Sequence, residues 1–156
     1  MKERYMFRWR ATIKRERLFE CMISTTPFTL ERSGLGTGSP EYIPRYHEKP
    51  EEKFDYIVKY MDKPIAYVDI TGGPRYPPWI QMSKLEYAEK YGVGERTWIA
   101  WLDPRRLSFY FINASHAMKV EGELIRLEGE PTPYKVIRLK HWIPWRRWIE
   151  ILMNTI

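Results

Sequence analysis

A hairpin predicted in the first half of the chain constrains the fold more than any other feature. Phe54–Met61 and Ile65–Ile70 are rich in β-branched and aromatic residues, and the tight turn Asp62-Lys63-Pro64 separates them. Each strand carries one aspartate, and antiparallel pairing brings Asp55 close to the end of the strand that holds Asp69. Two carboxylates on rigid strands suit a hard divalent cation. The hairpin therefore predicts a metal site built from these two aspartates.

A short helix is predicted over Ser83–Tyr91, with Ser83 as its N-cap and Gly92 as its stop. Its first turn contains Lys84 and Glu86. Two interpretations of Glu86 are open and do not exclude each other: a capping box with Ser83, or a third carboxylate at the mouth of the site. Lys84 is either a solvated helix lysine or a cation that faces the two aspartates. The sequence alone does not choose between these alternatives.

The remaining pattern predicts a single α+β domain over residues 1–156, with a central mixed sheet flanked by helices. Other predicted elements are a helix over Ala11–Ser24, strands over Phe28–Arg32, Thr97–Leu102, Leu107–Ile112, Met118–Leu127 and Tyr134–Leu139, a loop over Ser33–Pro50, and a final helix over Trp145–Met153 that Pro144 starts.

Charge is distributed unevenly along the chain. The net charge is +6 overall, with +5 in residues 1–17 and +4 in residues 134–156, so that residues 18–133 carry −3. Basic ends around an acidic centre suit a protein that binds a polyanion while its own carboxylates hold a cation. A solubilising role for the basic ends is the alternative.

Cysteine, histidine and hydropathy patterns exclude several protein classes. Cys21 is the one cysteine, which rules out an intramolecular disulfide and cysteine-rich zinc sites, and the three histidines lack zinc-ligand spacing. No apolar run reaches the length of a membrane span. We therefore expect an intracellular protein that acts without a membrane.

Cations and tryptophans alternate near both ends of the chain and in the loop after the hairpin. Such runs can follow a nucleic-acid backbone, with guanidinium groups on phosphates and rings on bases. The alternative for Trp145, Trp148, Ile149 and Leu152 is the ordinary apolar face of a helix, which we favour for the tryptophans. The candidate nucleic-acid-binding residues are Arg8, Arg10, Arg75, Arg146 and Arg147.

The order helix, strand, strand, helix, strand, with acids on the first two strands, resembles the core of the PD-(D/E)XK nuclease superfamily. Asp55 matches the first acid of its motif and Asp69-Ile70-Thr71 the second element, with thirteen residues between the two acids. Thr71 departs from the motif, because the superfamily has a lysine there and threonine carries no charge. Some relatives supply that charge from the next helix, where Lys84 lies.

The segment Lys63–Gly92 and the Trp-Arg-rich tail also resemble the small nucleases of filamentous archaeal viruses, the lipothrixviruses. The resemblance implies a nuclease that uses Mg²⁺ or Mn²⁺ on double-stranded DNA, acts in the host cytoplasm and is a possible homodimer. It places Asp55, Asp69, Lys84 and Glu86 in the catalytic site. Two rivals remain at this point: a non-catalytic nucleic-acid-binding protein on a degenerate nuclease fold, and a viral protein that uses its last helix at a lipid surface.

Overall fold

A mixed six-stranded sheet forms the centre of the protein, as a computed structural model shows. The structure describes residues 2–33, 54–71 and 75–156, with side chains from residue 10 onward, so that nearly all of the predicted loop 33–50 lies outside the described residues. The elements are α1 Lys2–Ile23, β1 Thr29–Arg32, β2 Tyr56–Tyr60, β3 Lys63–Ile70, β4 Trp79–Gln81, α2 Met82–Lys90, β5 Thr97–Asp103, β6 Ser108–Asn113, α3 Ala114–Lys119, β7 Glu123–Ile125, β8 Tyr134–Val136, β9 Ile143–Pro144 and α4 Trp145–Asn154, with short 3₁₀ turns at Gly94–Arg96 and Leu139–His141.

The central sheet has the strand order β1-β2-β3-β5-β6-β9. Its neighbours pair antiparallel except for β3 and β5, which run parallel with Asp69 beside Ile99. The connection between those two strands passes through β4 and α2, as a parallel pair requires a crossover. A second sheet, β4-β8-β7, is antiparallel. The predicted α+β class with a central mixed sheet is confirmed.

Helices cover both faces of the central sheet, because its strands alternate between two apolar cores. On one face, α1 and α4 pack on the sheet; their buried residues include Phe19 and Trp148, and the ring of Trp148 stacks on Phe111 with centroids 4.0 Å apart. On the other face, α2 and α3 pack through Leu85 and Ala117. Consecutive residues of β3 face opposite ways, so Asp69 lies on the α2 side, where Tyr67 packs, and Val68 lies on the other.

The hairpin is confirmed, but its turn lies elsewhere. Met61 and Asp62 both have positive φ, of 48° and 64°, which is the backbone of a type I′ hairpin turn. Pro64 belongs to β3, opposite Lys59, where the register of the two strands shifts. A strand proline lacks an N–H to donate, and such residues occur at irregularities of this kind. The predicted Asp62-Lys63-Pro64 turn is therefore wrong by one or two residues.

The helices differ from the prediction in length, capping and number. Helix α1 starts nine residues before the predicted Ala11, and no Gly or Pro interrupts Lys2–Ile23. Helix α3 was not predicted: it takes the start of the predicted strand Met118–Leu127, of which Glu123–Ile125 alone is strand. The Asn113 side chain accepts a hydrogen bond from the N–H of Ser115 and caps α3.

Helix α4 begins after Pro144, which is its N-cap and the last residue of β9. Trp148 and Leu152 are buried against the sheet, so the interpretation of the tryptophans as an apolar packing face is confirmed. The face that could have met a lipid surface is thus occupied by the core. In the part of the chain that the structure describes, no helix is long and apolar enough to cross a membrane.

Candidate active site

Asp55 and Asp69 meet at the open end of the hairpin. The register pairs Tyr56 with Val68, so the preceding Asp55 falls opposite Asp69. One carboxylate oxygen of Asp55, Oδ2, accepts a hydrogen bond of 2.8 Å from the N–H of Ile70. Asp69 is buried, with 7% of its surface exposed, and Asp55 is half-buried. The structure thus brings these two predicted residues together.

Lys84 completes a charged triad with the two aspartates. Its Nζ donates a hydrogen bond of 3.1 Å to Oδ1 of Asp69. Lys84 lies in the first turn of α2, which contains no acidic residue. A cation at this end of a helix is disfavoured by the helix dipole, by about 0.3–1 kcal/mol. The position is therefore poor for helix stability and good for presenting an ammonium group to the carboxylates.

The electrostatics of the triad are dominated by Asp55. Burial raises its pKa well above the usual range, and the neighbouring charges of Asp69 and Glu16 raise it further. The charge of Lys84 and the hydrogen bond from Ile70 act in the opposite direction without cancelling the rise. Carboxylates that crowd each other in this way are relieved by a cation between them.

Thr71 has a structural task in place of the motif lysine. Its hydroxyl donates a short hydrogen bond to the carbonyl of Trp79, and its N–H donates to the carbonyl of Ala100. The end of β3 is thereby joined to β4 and to β5. The ammonium group that lies next to Asp69 in the structure is that of Lys84, on the helix.

Helix α1 contributes two charged residues that the sequence did not single out. Glu16 is buried, with 5% of its surface exposed, and its charge acts on Asp55. Arg15 is half-buried, and its Nη2 donates to the Thr12 hydroxyl at 3.2 Å. Its pKa is lowered by burial, while the charges of Glu16 and Asp55 oppose that shift. The buried Nε of Arg15 has no hydrogen-bond partner among the described residues.

Glu20, also on α1, is engaged away from the two aspartates. Its carboxylate forms a two-point ion pair with Arg32, at 2.9 and 3.1 Å. Glu16 lies one turn before Glu20 on the same face of α1, and Glu16 is the glutamate whose side chain is buried. The spacing of the two glutamates, i and i+4, shows in the sequence that they share a helix face. Which of the two is buried depends on how α1 packs on the sheet.

Glu86 lies on a different side of α2 from Lys84. Two residues correspond to about 200° around a helix axis, and Glu86 is exposed while the intervening Leu85 is buried. The capping-box interpretation of Glu86 is wrong: Gln81 is the N-cap, no side chain in the described part of the chain caps the helix, and the N–H of Met82 donates to the carbonyl of Pro133 at 3.0 Å. The role of Glu86 at the site mouth stays a prediction.

The carboxylates of Asp55 and Asp69 suit a hard cation that needs only one or two protein ligands. Within residues 2–33, 54–71 and 75–156, no group of three or more His, Cys, Asp or Glu side chains is placed to hold a metal. Mg²⁺ characteristically binds through one or two carboxylates, with water and substrate phosphate oxygens as its other ligands. Asp55 and Asp69 fit that requirement.

The fold is similar to that of two solved nuclease structures over most of the chain. D212, a nuclease from a fusellovirus, matches with a TM-score of 0.64 and 20% sequence identity, over 90% of this chain and 91% of that one. Hjc, a Holliday junction resolvase from the archaeal hyperthermophile Archaeoglobus fulgidus, matches with a TM-score of 0.53 and 12% identity, over 90% and 98%. No protein-family model and no curated protein matches the sequence.

The fold is restriction-endonuclease-like. Within this fold, the strands of the predicted motif and the helix that follows them converge on one end of the parallel pair β3 and β5. The convergence brings Asp55, Asp69 and Lys84 together. It leaves Glu86 at the solvent-exposed side of the same helix.

The candidate nucleic-acid-binding arginines are distributed over the surface. Arg10 is exposed on α1, whereas Arg8 lies outside the residues whose side chains are described. Arg146 and Arg147 are exposed on α4, and Arg147 pairs with Glu150 at 3.2 Å. These helices cover the sheet face opposite to α2.

Arg75 is exposed on the other side of the molecule, and its guanidinium carbon lies 4.1 Å from the ring centroid of Trp79. Trp79 belongs to β4, which leads directly into α2. Arg75 is therefore linked to the triad through Trp79 and β4, because β4 leads into the helix that carries Lys84. The structure shows no such link for the other described arginines that were predicted to bind nucleic acid.

Proposed function

We propose that this protein is a metal-dependent nuclease that hydrolyses phosphodiester bonds of double-stranded DNA. The observation that carries the proposal is the contact of Lys84 with Asp69 on a fold shared with two nucleases that act on nucleic acid. The chain lacks the strand lysine, yet an ammonium group stands 3.1 Å from the second acid of the motif. A structural ion pair alone would have no need to occupy the unfavourable end of a helix.

In this proposal Asp55 and Asp69 hold Mg²⁺ or Mn²⁺. A bound cation would supply Lewis-acid activation of water and would neutralise charge on the scissile phosphate. In the hydrolysis, the oxygen of a water molecule forms a bond to phosphorus as the ester P–O bond breaks. Its proton passes to a carboxylate, and the leaving oxygen takes a proton from solvent. Lys84 donates a hydrogen bond to a phosphate oxygen, where negative charge grows in the transition state.

Glu86 enters the proposal as the base that takes or relays the proton of the attacking water. Its exposed position on the first half of α2 leaves its carboxylate accessible to solvent and to a bound backbone. The remaining cations, Arg8, Arg10, Arg75, Arg146 and Arg147, are proposed to bind the DNA backbone on either side of the cleaved bond.

We further infer that residues 1–156 act as one nuclease domain inside the cell, in the host cytoplasm if the gene is viral, with a homodimer as a possible assembly. The chain carries a net charge of +6, which favours its association with DNA. We expect that association to weaken as salt is added.

The decisive experiment is incubation with linear and circular DNA in Mg²⁺ or in EDTA. We expect cleavage in Mg²⁺ only, abolished in Asp69→Asn and Asp55→Asn and lowered by about 10²–10³ in Lys84→Met, the usual cost of one transition-state donor. Lys90→Met is the matched control, because Lys90 is an exposed lysine in the last turn of the same helix. Full activity in the Asp69→Asn variant would show that the site is wrongly assigned.

The second candidate is a non-catalytic nucleic-acid-binding protein, and Thr71 is the observation that favours it. A threonine whose hydroxyl joins β3 to β4 is a structural residue at a catalytic position. This candidate predicts DNA binding with a steep salt dependence and no cleavage in Mg²⁺ or Mn²⁺. The same incubation separates the two functions.

A further inference from the structure

An exposed aromatic ring precedes the strand β4 that leads into the helix of Lys84. Tyr76 has 58% of its surface exposed, yet it rests on the buried Trp101, with ring centroids 6.2 Å apart and an angle of 47° between their planes. Trp101 in turn contacts Tyr110 at 6.1 Å. Tyr76 is thus supported by Trp101 while more than half of its surface stays exposed.

The position of this ring is tied to the triad through the backbone. Thr71, two residues beyond Asp69, donates its hydroxyl to the carbonyl of Trp79. The segment from Arg75 to Pro78 leads into Trp79 and β4, and β4 leads into the first turn of α2, which presents Lys84. Tyr76 therefore lies on a segment anchored at the strand end that carries Asp69.

Two guanidinium groups accompany the ring. That of Arg105, in the turn between β5 and β6, lies 5.6 Å from the ring centroid of Tyr76, and that of Arg75 lies over Trp79. Both arginines are exposed. An exposed ring with one guanidinium group over it and a second arginine next to it in the sequence combines an aromatic surface with donors for phosphates.

We propose that Tyr76 is a stacking platform for an unpaired base of the DNA substrate, with Arg75 and Arg105 on the adjacent phosphates. The proposal rests on the proposed function and specifies its substrate. Bases inside a duplex already stack on their neighbours, so only an unpaired base offers a free face to the ring. The site therefore prefers DNA in which a few nucleotides next to the cleaved bond are unpaired over fully paired DNA.

Binding in EDTA tests the platform without cleavage. The probes are a fully paired duplex and the same duplex with a few unpaired nucleotides at one end, one of them the fluorescent base 2-aminopurine. We expect wild-type protein to prefer the second probe and to quench its fluorescence. Tyr76→Ala is expected to weaken binding of that probe by roughly 5- to 150-fold, the effect of losing one stacked base, and to leave the fully paired duplex unaffected.

Two variants serve as controls. Tyr76→Phe keeps the ring and should keep both the preference and the quenching. Met61→Gln changes another exposed apolar residue, 82% exposed in the turn at the opposite end of the hairpin, and should change nothing. Equal wild-type affinity for the two probes, or an undiminished preference in Tyr76→Ala, would overturn the platform.

Cleavage distinguishes failure of the platform from failure of the nuclease. A protein that cleaves DNA in Mg²⁺ but does not discriminate between the probes retains the proposed function and loses the platform. A protein that prefers the partly unpaired probe through Tyr76 and never cleaves retains the platform and loses the nuclease.

Discussion

Replacing Lys84 with methionine separates the electrostatic role of this residue from its packing. At 3.1 Å and an effective dielectric constant of about 20, the gross attraction between the ammonium group and Asp69 is about 5 kcal/mol. Desolvation offsets much of it, because the two side chains are only 23% and 10% exposed, and a hydrogen bond to a charged group typically nets about 1.5–3 kcal/mol. Removing the cation from the helix start returns about 0.3–1 kcal/mol. We therefore expect a net loss of about 1–2 kcal/mol.

Thermal unfolding in EDTA measures that loss, which corresponds to a Tm about 2–8 °C lower than in the wild type. Lys90→Met should change Tm in the same direction only slightly, since it removes a favourable dipole interaction of about 0.3–1 kcal/mol. A double-mutant cycle with Asp69→Asn isolates the pair from other contacts of either residue. A coupling energy near zero, or unchanged cleavage in Lys84→Met, would refute the assignment of Lys84 to the site.

Three further substitutions test the neighbouring positions. The folded-state pKa of Asp55 is raised, so the ionisation of Asp55 lowers the stability of the fold as pH rises from about 4 through that pKa. Asp55→Asn should therefore have a higher Tm than the wild type at neutral pH in EDTA, and the difference should vanish at low pH. An equal gain in Tm at every pH would contradict this. Glu86→Gln should abolish cleavage without changing Tm or DNA affinity, while Glu89→Gln on the same helix retains full activity; active Glu86→Gln removes Glu86 from the mechanism. Introducing Thr71→Lys into the Lys84→Met variant should restore part of the cleavage activity. It should also lower Tm, because the Trp79 carbonyl loses its hydrogen-bond donor. Absence of any recovered cleavage would show that positions 71 and 84 are not equivalent.

The elements that could be predicted from the sequence are those whose periodicity and packing agree. The hairpin strands, β5 and β6 are apolar and aromatic runs that are largely buried, and α4 has an apolar face at helical spacing that packs on the sheet. The first half of α1 was not predicted, although Lys2–Arg10 contains no Gly or Pro to interrupt a helix. Helix α3 was missed because its six residues are too few to show a period.

The residues of the candidate site also fall into those that the sequence predicts and those that depend on how the helices pack. Asp55 and Asp69 were predictable, because strand register alone places them opposite each other. The contact of Lys84 with Asp69 was only conjectured, because it depends on how α2 packs. Arg15 and Glu16 could not be assigned, since their approach to Asp55 requires the docking of α1 on the sheet. The capping box failed for a similar reason: a carbonyl from Pro133, distant in sequence, satisfies the helix start.

The position of the lysine on a helix follows from what the end of β3 has to do. Residues 69 and 71 lie on the same side of the strand, so a lysine at 71 would meet the same carboxylate that Lys84 meets. That position is used by the Thr71 hydroxyl, which joins β3 to the short strand β4 and thereby fixes the start of α2. A lysine at position 71 would leave the Trp79 carbonyl without its hydrogen-bond donor and would loosen the start of α2. Lys84 lies on α2, so the hydrogen bond from Thr71 to Trp79 helps to hold Lys84 near Asp69. The Thr71–Trp79 contact and the Lys84–Asp69 contact are thus linked through β4, because the first fixes the start of the helix that carries the second.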